Sequence, residues 1–386
     1  SQGEQGVAVF ASYEDLCQSD DVDLVYVCTD WASHVPIALC AMHNGKHVAI
    51  EVPAATTLAD CWTLVDTAER TRRHCTMLEN CCYASHHLKT LAATRRGRMG
   101  TIVHVEGAYI HPMDDRWTPW RTEANRQLRG DLYPTHGMGP ACQLLGIHRS
   151  DWITSLVSMD TNAFLREDFR NGDHTTTLMR TAEGKVVEIQ HNVMNPQPYN
   201  RLFKLSGTKG YATKYPEEHF ALQGDALQGK DGAPQLDNLS AHGFISREQQ
   251  DALVKAYYHP ILKKYGERGR EMGHGGMDFV MDSRLVYCLQ NGLPLDMDVY
   301  DLAEWCCLAE LGQLSMDHNS AAVAFPDFTR GEWNRVKGYR HAYATPEEEA
   351  ATEEAARAST EAQKQQCAKK KLWEKYDKAR AKEAKK

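Results

Sequence analysis

Three short apolar runs, separated by two amphipathic helical patterns, constrain the first eighty residues more than any other feature of the chain. Leu24-Val25-Tyr26-Val27-Cys28 is continuous and apolar, the mark of a strand buried on both faces. His47-Val48-Ala49-Ile50 and Thr76-Met77-Leu78 are the next two runs. Between the first and second, Asp30 or Ser33 can cap a helix that buries Ile37, Leu39, Cys40 and Ala41, and Asn44-Gly45 can close it. Between the second and third, Thr57 opens a helix with Leu58, Cys61, Leu64, Val65 and Ala68 on one face. A strand–helix–strand–helix–strand order means parallel βαβ units. Upstream, Val7 to Phe10 reads as a strand, and Ser12 caps a short helix through Leu16 and Cys17.

The next stretch has a different rhythm. Ile102 to Ile110, Trp152 to Met159, Thr175 to Arg180, Val186 to Val193 and Leu202 to Ser206 are strand-like, with turns at Gly184 and Gly207-Thr208-Lys209-Gly210. This predicts a largely antiparallel sheet carrying one helix over Gly137 to Leu145. Residues 217–245, rich in Gly, Gln and Asp, read as a long loop. Helices are expected over 247–266, 276–291 and 298–318. From Pro346 an acidic run gives way to a basic one, which suits a solvated helix. The expected division is a Rossmann-like domain over 1–80, a substrate domain over 81–345 whose last helices pack back on the first, and a charged tail over 346–386.

Composition removes several classes of function. The chain has 386 residues, with 44 Lys and Arg against 52 Asp and Glu, a net charge of −8. A general nucleic-acid binder shows a basic footprint instead. No window reaches the ~18 apolar residues of a membrane-spanning helix. The 12 cysteines sit mostly in apolar runs of a long chain; they read as reduced core thiols rather than as a disulfide scaffold. That favours the cytoplasm, with export open if a signal precedes Ser1. A zinc site from Cys82 and His86, one turn apart on an expected helix, with Cys75, Cys81 and His87 nearby, is rejected. The C-x-x-C knuckles of such sites are missing, and no metal is expected.

Motifs then narrow the family. The run Asp23 to Thr29, His34, and Gly45-Lys46-His47-Val48-Ala49-Ile50-Glu51-Val52-Pro53 resembles the glucose–fructose oxidoreductase / inositol dehydrogenase superfamily. Four further motifs follow in order: Gly107-Ala108-Tyr109-Ile110-His111, Tyr133-Pro134-Thr135-His136-Gly137-Met138-Gly139-Pro140, Gly207-Thr208-Lys209-Gly210 with Tyr215-Pro216, and Gly273-His274-Gly275-Gly276-Met277-Asp278. With Glu-Val-Pro they resemble glycoside hydrolase family 109, the NAD-dependent α-N-acetylgalactosaminidases, over about residues 7 to 330. The superfamily's dehydrogenases carry Glu-Lys-Pro at the second strand end, the lysine standing beside the hydroxyl that is oxidised. Val52 can hold neither charge nor proton.

The resemblance implies an α/β fold: an incomplete Rossmann domain followed by an α/β domain with an open, largely antiparallel sheet. The glycine-rich cofactor turn is missing before Val7, so the chain is expected to begin inside the Rossmann domain, without its first βα unit and second strand. The implied cofactor is NAD, and the implied substrate is a glycan or small molecule ending in α-linked N-acetylgalactosamine. The family reaction oxidises the sugar at C3, eliminates the anomeric group, adds water to the enone and reduces C3 again. Tyr109 and His136 carry over as proton handlers. Tyr109, Arg121, Tyr133 and Tyr215 carry over as substrate contacts. Trp31, Ser33, His34, Glu51, Val52, Asn80 and the Tyr133-Pro134-Thr135-His136 turn are assigned to NAD. His274 is left open between a catalytic and a loop role. Homo-oligomerisation through the second sheet is a further expectation. The competing readings are a sugar dehydrogenase of the same fold, and an inactive sugar-binding remnant motivated by the missing glycine turn.

Overall fold

A computed structural model of the chain describes residues 7–112, 117–259 and 261–333. The charged segment 346–386 lies outside the described residues. A short helix α1 (Tyr13–Gln18), capped by Ser12, precedes the first sheet. The three apolar runs form β1 (Leu24–Val27), β2 (His47–Ile50) and β3 (Cys75–Met77), parallel and in that spatial order. The crossovers are α2 (Trp31–His43) and α3 (Leu58–Thr71). Asp30, not Ser33, caps α2: its carboxylate accepts the Ser33 backbone N–H. Thr57 caps α3 by accepting from the Asp60 N–H at 3.1 Å, and Cys61, Leu64, Val65 and Ala68 form its buried stripe.

Two local expectations fail. β1 alternates instead of being buried on both faces: Val25 and Val27 are covered, while Tyr26 is exposed. It is the outer strand of its sheet, and Tyr26 and Cys28 turn toward a cleft. Residues 7–10 form no strand. Val7 and Val9 are exposed, and the ladder at β1 has no partner for them among the described residues.

The second sheet has eight strands. β4 (Ile102–Ile110), β5 (Ile153–Asp160), β6 (Thr175–Thr181), β7 (Val186–Asn192) and β8 (Phe203–Gly207) were expected from their patterns. β9 (Gly210–Thr213), β10 (His219–Leu222) and the two-residue β11 (Val323–Ala324) were not. The order is β10-β9-β8-β4-β7-β6-β5-β11. The β4–β7 pair is parallel and the others are antiparallel. The supposed long loop thus contains an edge strand, whose buried Phe220 and Leu222 alternate across only four residues, too few to stand out in polar surroundings.

The longer helices that follow are α4 (Ser85–Arg95), α5 (Pro119–Gln127), α6 (Thr135–Leu145), α7 (Arg247–Ala256), α8 (Met277–Gln290), α9 (Val299–Cys306) and α10 (Leu308–Asp317). The helix expected over 247–266 is interrupted: α7 ends at Ala256, before a proline that disfavours helix in the residue preceding it, and helical backbone of the π type resumes over Leu262–Gly266. The single helix expected over 298–318 divides at Cys307, because its halves pack on different partners: α9 on α3, α10 on β5. Cys82 and His86 do not share a helix. Cys82 lies in a 3₁₀ turn (Asn80–Tyr83), and extended Ala84 separates it from α4.

One packing detail fixes the site. α6 lies across β4 so closely that a Cβ on Gly107 would stand 2.7 Å from Gly137 Cα. A Cβ on Gly139 would meet Cys82 Sγ at 2.8 Å and Glu79 Cγ at 2.9 Å. Glycine at these positions lets the first turn of α6 reach the end of β3.

Candidate active site

A cleft of about 740 Å³ opens where the carboxyl ends of the small sheet meet the end of β4. Ligands of open α/β sheets bind at strand carboxyl ends. Cys28, Glu51, Val52 and Asn80 line it from the first half, and Tyr109, Arg121, Tyr133 and His136 from the second.

His136 is the second residue of α6. Its Nδ1 lies 2.8 and 3.0 Å from the two carboxylate oxygens of Glu79. Glu79 follows β3, is completely buried, and accepts the Cys81 backbone N–H at 3.0 Å. Burial opposes charge on His136, but the Cys81 sulfur and the Glu79 carboxylate outweigh it and push its pKa up to about 10. Burial likewise works against the Glu79 carboxylate, yet His136 holds it below the usual range. The buried carboxylate thus favours the charged imidazolium over the neutral ring.

Tyr109 lies near the end of β4. Its hydroxyl is 3.1 Å from His111 Nδ1. Its ring centroid is 4.5 Å from that of Tyr133 and 5.4 Å from that of His136. Burial raises the phenol's pKa, while the Arg121 and Arg201 guanidinium groups oppose that rise. Arg121, on α5, sits among the rings of Trp31, Trp117, Trp120 and Tyr133 at 5.4–5.6 Å. Its Nε is buried without a hydrogen-bond partner. Stacking on aromatic faces suits a planar guanidinium and fixes its direction.

Not every expected residue reaches the cleft. Ser33 is spent on Asp30, through its N–H at 3.1 Å and its hydroxyl at 2.9 Å. His34 is buried, with its ring nitrogens 3.0 Å from Pro53 O and 3.1 Å from Thr29 O. It ties two strand ends together and does not line the cleft. Tyr215 stands near Arg201 but does not line the cleft either. Trp31 contributes through the aromatic wall around Arg121; Pro134 and Thr135 form the start of α6. His274 is on the rim in a left-handed conformation, its Nδ1 2.6 Å from Asp278 Oδ2. Asp278 Oδ1 in turn accepts from Asn80 Nδ2 at 2.6 Å.

Three site residues escaped the sequence reading. Glu79 could have been found by the same strand-end rule that found Asn80. Tyr199 and Arg201 both line the cleft from the irregular segment before β8, which carries no local signal. Glu79, Cys81 and His136 hold their ligand atoms within 4.8 Å of one another. Arg201 Nη1, 3.5 Å from Cys81 Sγ, puts a positive charge against that group and disfavours a cation there.

Residues 83–335 match the family described as "Glycosyl hydrolase 109, C-terminal domain", and residues 2–78 match "Oxidoreductase family, NAD-binding Rossmann fold". The "Glycosyl hydrolase family 109 protein 3" of Phocaeicola vulgatus is 58% identical over 401 aligned positions, covering 97% of this chain and 72% of that protein. The "Glycosyl hydrolase family 109 protein" of Porphyromonas gingivalis is 53% identical, over 86% of this chain and 75% of its own. Among solved structures, a levoglucosan dehydrogenase in complex with NADH and levoglucosan superposes with a TM-score of 0.63 at 18% identity, over 82% of this chain and 84% of that one. Fold and cleft together define an enzyme of the two-domain oxidoreductase type with an NAD-binding Rossmann domain. Within that class the chain belongs to glycoside hydrolase family 109.

The residues at this end of the cleft fit NAD, the cofactor of the Rossmann family that residues 2–78 match. Asn80, at a strand carboxyl end, has its Oδ1 buried without a hydrogen-bond partner, as a residue awaiting a ligand amide would. Glu51 and Val52 stand beside it at the end of β2.

Proposed function

We propose that the protein is an NAD-dependent glycosidase that removes terminal α-linked N-acetylgalactosamine by oxidation, elimination, addition and reduction. The observation that carries this reading is the His136–Glu79 pair, set near Tyr109 in a cleft that Val52 also lines, at the position where the sequence resemblance puts the dehydrogenases' lysine. NAD, when bound, supplies reversible hydride acceptance at C3. Asn80, Glu51, Val52, Trp31 and the turn at 133–136 hold it.

The chain's own residues handle the protons. Tyr109 takes the C3 hydroxyl proton while its own phenolic proton passes to His111 Nδ1. A C3 ketone acidifies the proton at C2. His136, oriented by Glu79, takes that proton; the C2–H electron pair becomes the C1–C2 double bond, and the C1–O bond breaks with its pair on the aglycone. The aglycone oxygen takes a proton from the water whose hydroxide adds at C1, His136 returns a proton to C2, and Tyr109 returns the proton to the C3 oxygen as the ketone is reduced. A buried carboxylate behind an imidazole base stabilises the imidazolium that forms. Arg121 and Tyr133 orient the sugar by hydrogen bonding and stacking. No pair of carboxylates at ordinary glycosidase spacing is required.

Incubation with an aryl α-N-acetylgalactosaminide and NAD tests this. Release of the phenol with no net accumulation of reduced nicotinamide is expected. Reduced nicotinamide accumulating in proportion to substrate would favour a sugar dehydrogenase instead. Pairing of two copies through the open face of the larger sheet, where Met159 and Leu178 are exposed, belongs to the same reading and is checked by the mass in solution.

A further inference from the structure

A second cavity, of about 20 Å³, lies on another side of His136. That volume has room for one water molecule. Its polar lining is Cys81, His86, His87, His136, Arg201 and Lys214. His136 therefore borders both the cleft and this chamber.

The lining groups are not equivalent as proton acceptors. Lys214 and Arg201 are cations. Cys81 Sγ is engaged by Arg201 at 3.5 Å, and His87 Nε2 is 2.8 Å from Gln143 Oε1. His86 differs. It is buried, its Nε2 has only a long 3.5 Å contact, to Thr90 Oγ1, and its Nδ1 lies 3.5 Å from Glu218 Oε2, a contact that falls short of a formed hydrogen bond. Glu218 is about a third exposed, has Lys89 Nζ at 3.6 Å, and does not line the cleft. Burial pushes the His86 pKa down, against the pull of Glu218. Contact with His86 and nearby lysines holds the Glu218 carboxyl down to about 2. A neutral imidazole thus stands between the chamber and an ionised carboxylate at the surface.

We infer that His136 exchanges its proton with solvent through this chamber, with His86 as the relay and Glu218 as the exit. The inference rests on the reading of His136 as the base at C2. The need for such a route follows from the site: an imidazolium held by buried Glu79 can take no second proton until it has lost the first, and a sugar with its dinucleotide covers the cleft side. In each passage the His136 N–H bond breaks and its proton goes to the chamber water. That water gives one of its protons to His86, His86 releases the proton of its other nitrogen to Glu218, and Glu218 releases it to solvent. One proton moves and no charge is created.

The test uses substrate carrying deuterium at C2, turned over in ordinary water by the NAD-loaded protein. The wild type should lose most of that deuterium from the released sugar. Glu218→Gln should retain severalfold more of it at unchanged KM, and added formate should restore the loss. Ala84→Val, which narrows the chamber at a lining residue, should also retain deuterium, and formate should not help it. Exchange in both variants equal to the wild type overturns the route while leaving the elimination chemistry standing. Complete retention by the wild type itself overturns the elimination reading and the route with it, so the two failures are told apart.

Discussion

His136 Nδ1 lies 2.8 Å from Oε1 of Glu79, a carboxylate with no exposed surface. A buried charge pair of this kind is costly to break from one side, because the remaining charge has nothing to neutralise it. It also sets the direction of the pH dependence. The base at C2 is the uncharged imidazole, and Glu79 stabilises the charged one. Activity should therefore rise with pH as His136 loses its proton, toward the value near 10 to which its pKa is pushed. Glu79→Gln removes the stabilising charge, so the inflection should move down toward histidine's ordinary range, and the plateau should fall by about 10²-fold or more as the base weakens. A profile of kcat/KM against pH for both proteins checks this; a rate that falls with rising pH would assign His136 the role of acid.

Gly107 and Gly137 let α6 rest on β4 with no side chain between them. A Cβ at Gly107 would stand 2.7 Å from Gly137 Cα and 2.9 Å from its carbonyl oxygen. These are backbone atoms at the start of a helix and cannot swing aside. Gly107→Ala should destabilise the fold by about 1–3 kcal/mol, the usual cost of overpacking. It should also lower kcat, because the displaced helix carries His136. Thermal or denaturant unfolding gives the first number and steady-state kinetics the second.

The small sheet was legible in the sequence because each βαβ unit repeats one local pattern, and Thr57 and Asn44-Gly45 mark its helix ends with their own chemistry. β10 was not, because four residues with two buried positions carry too little pattern in a polar stretch. The site was legible where it sits on those patterns: Asn80, Tyr109, Tyr133 and His136 all line the cleft. Ser33 and His34 stand at a strand end as ligand-binding residues do, but their side chains meet Asp30 and two backbone carbonyls, partners that no local pattern announces. Arg201 was invisible because only the fold brings an irregular segment beside Cys81, 120 residues away in the chain.

Arg121 makes no ion pair with a described residue, and four aromatic rings fix its plane. Its donors are thus directed toward the cleft it lines. Arg121→Lys keeps the charge but loses the planar fork and its stacking. KM for the aryl glycoside should rise about 10–100-fold, the worth of hydrogen bonds from a charged group at about 1.5–3 kcal/mol, with kcat changed far less. A loss confined to kcat would place the guanidinium at the reacting atoms instead.

Val52 and His136 give the sharpest separation between the glycosidase and dehydrogenase readings. Both line the cleft, but Val52 ends the β2 crossover while His136 opens α6. If proton handling at C2 belongs to His136, then His136→Ala should lower glycosidase turnover by about 10²–10⁴-fold, the usual worth of one general acid–base group, with NAD binding still measurable. A lysine introduced at position 52 arrives from the other side, with an amine whose unperturbed pKa is about 10.4. It can assist loss of the C3 hydroxyl proton but cannot take the proton at C2. Val52→Lys combined with His136→Ala should therefore leave glycoside cleavage at the level of His136→Ala alone, while reduced nicotinamide builds up as the oxidised sugar stalls at the ketone. The near-ultraviolet absorbance of the reduced cofactor, followed together with phenol release, reads both arms at once. Recovery of phenol release in the double variant would mean that the base at C2 is reached from the β2 side, and that His136 serves only to hold the cofactor.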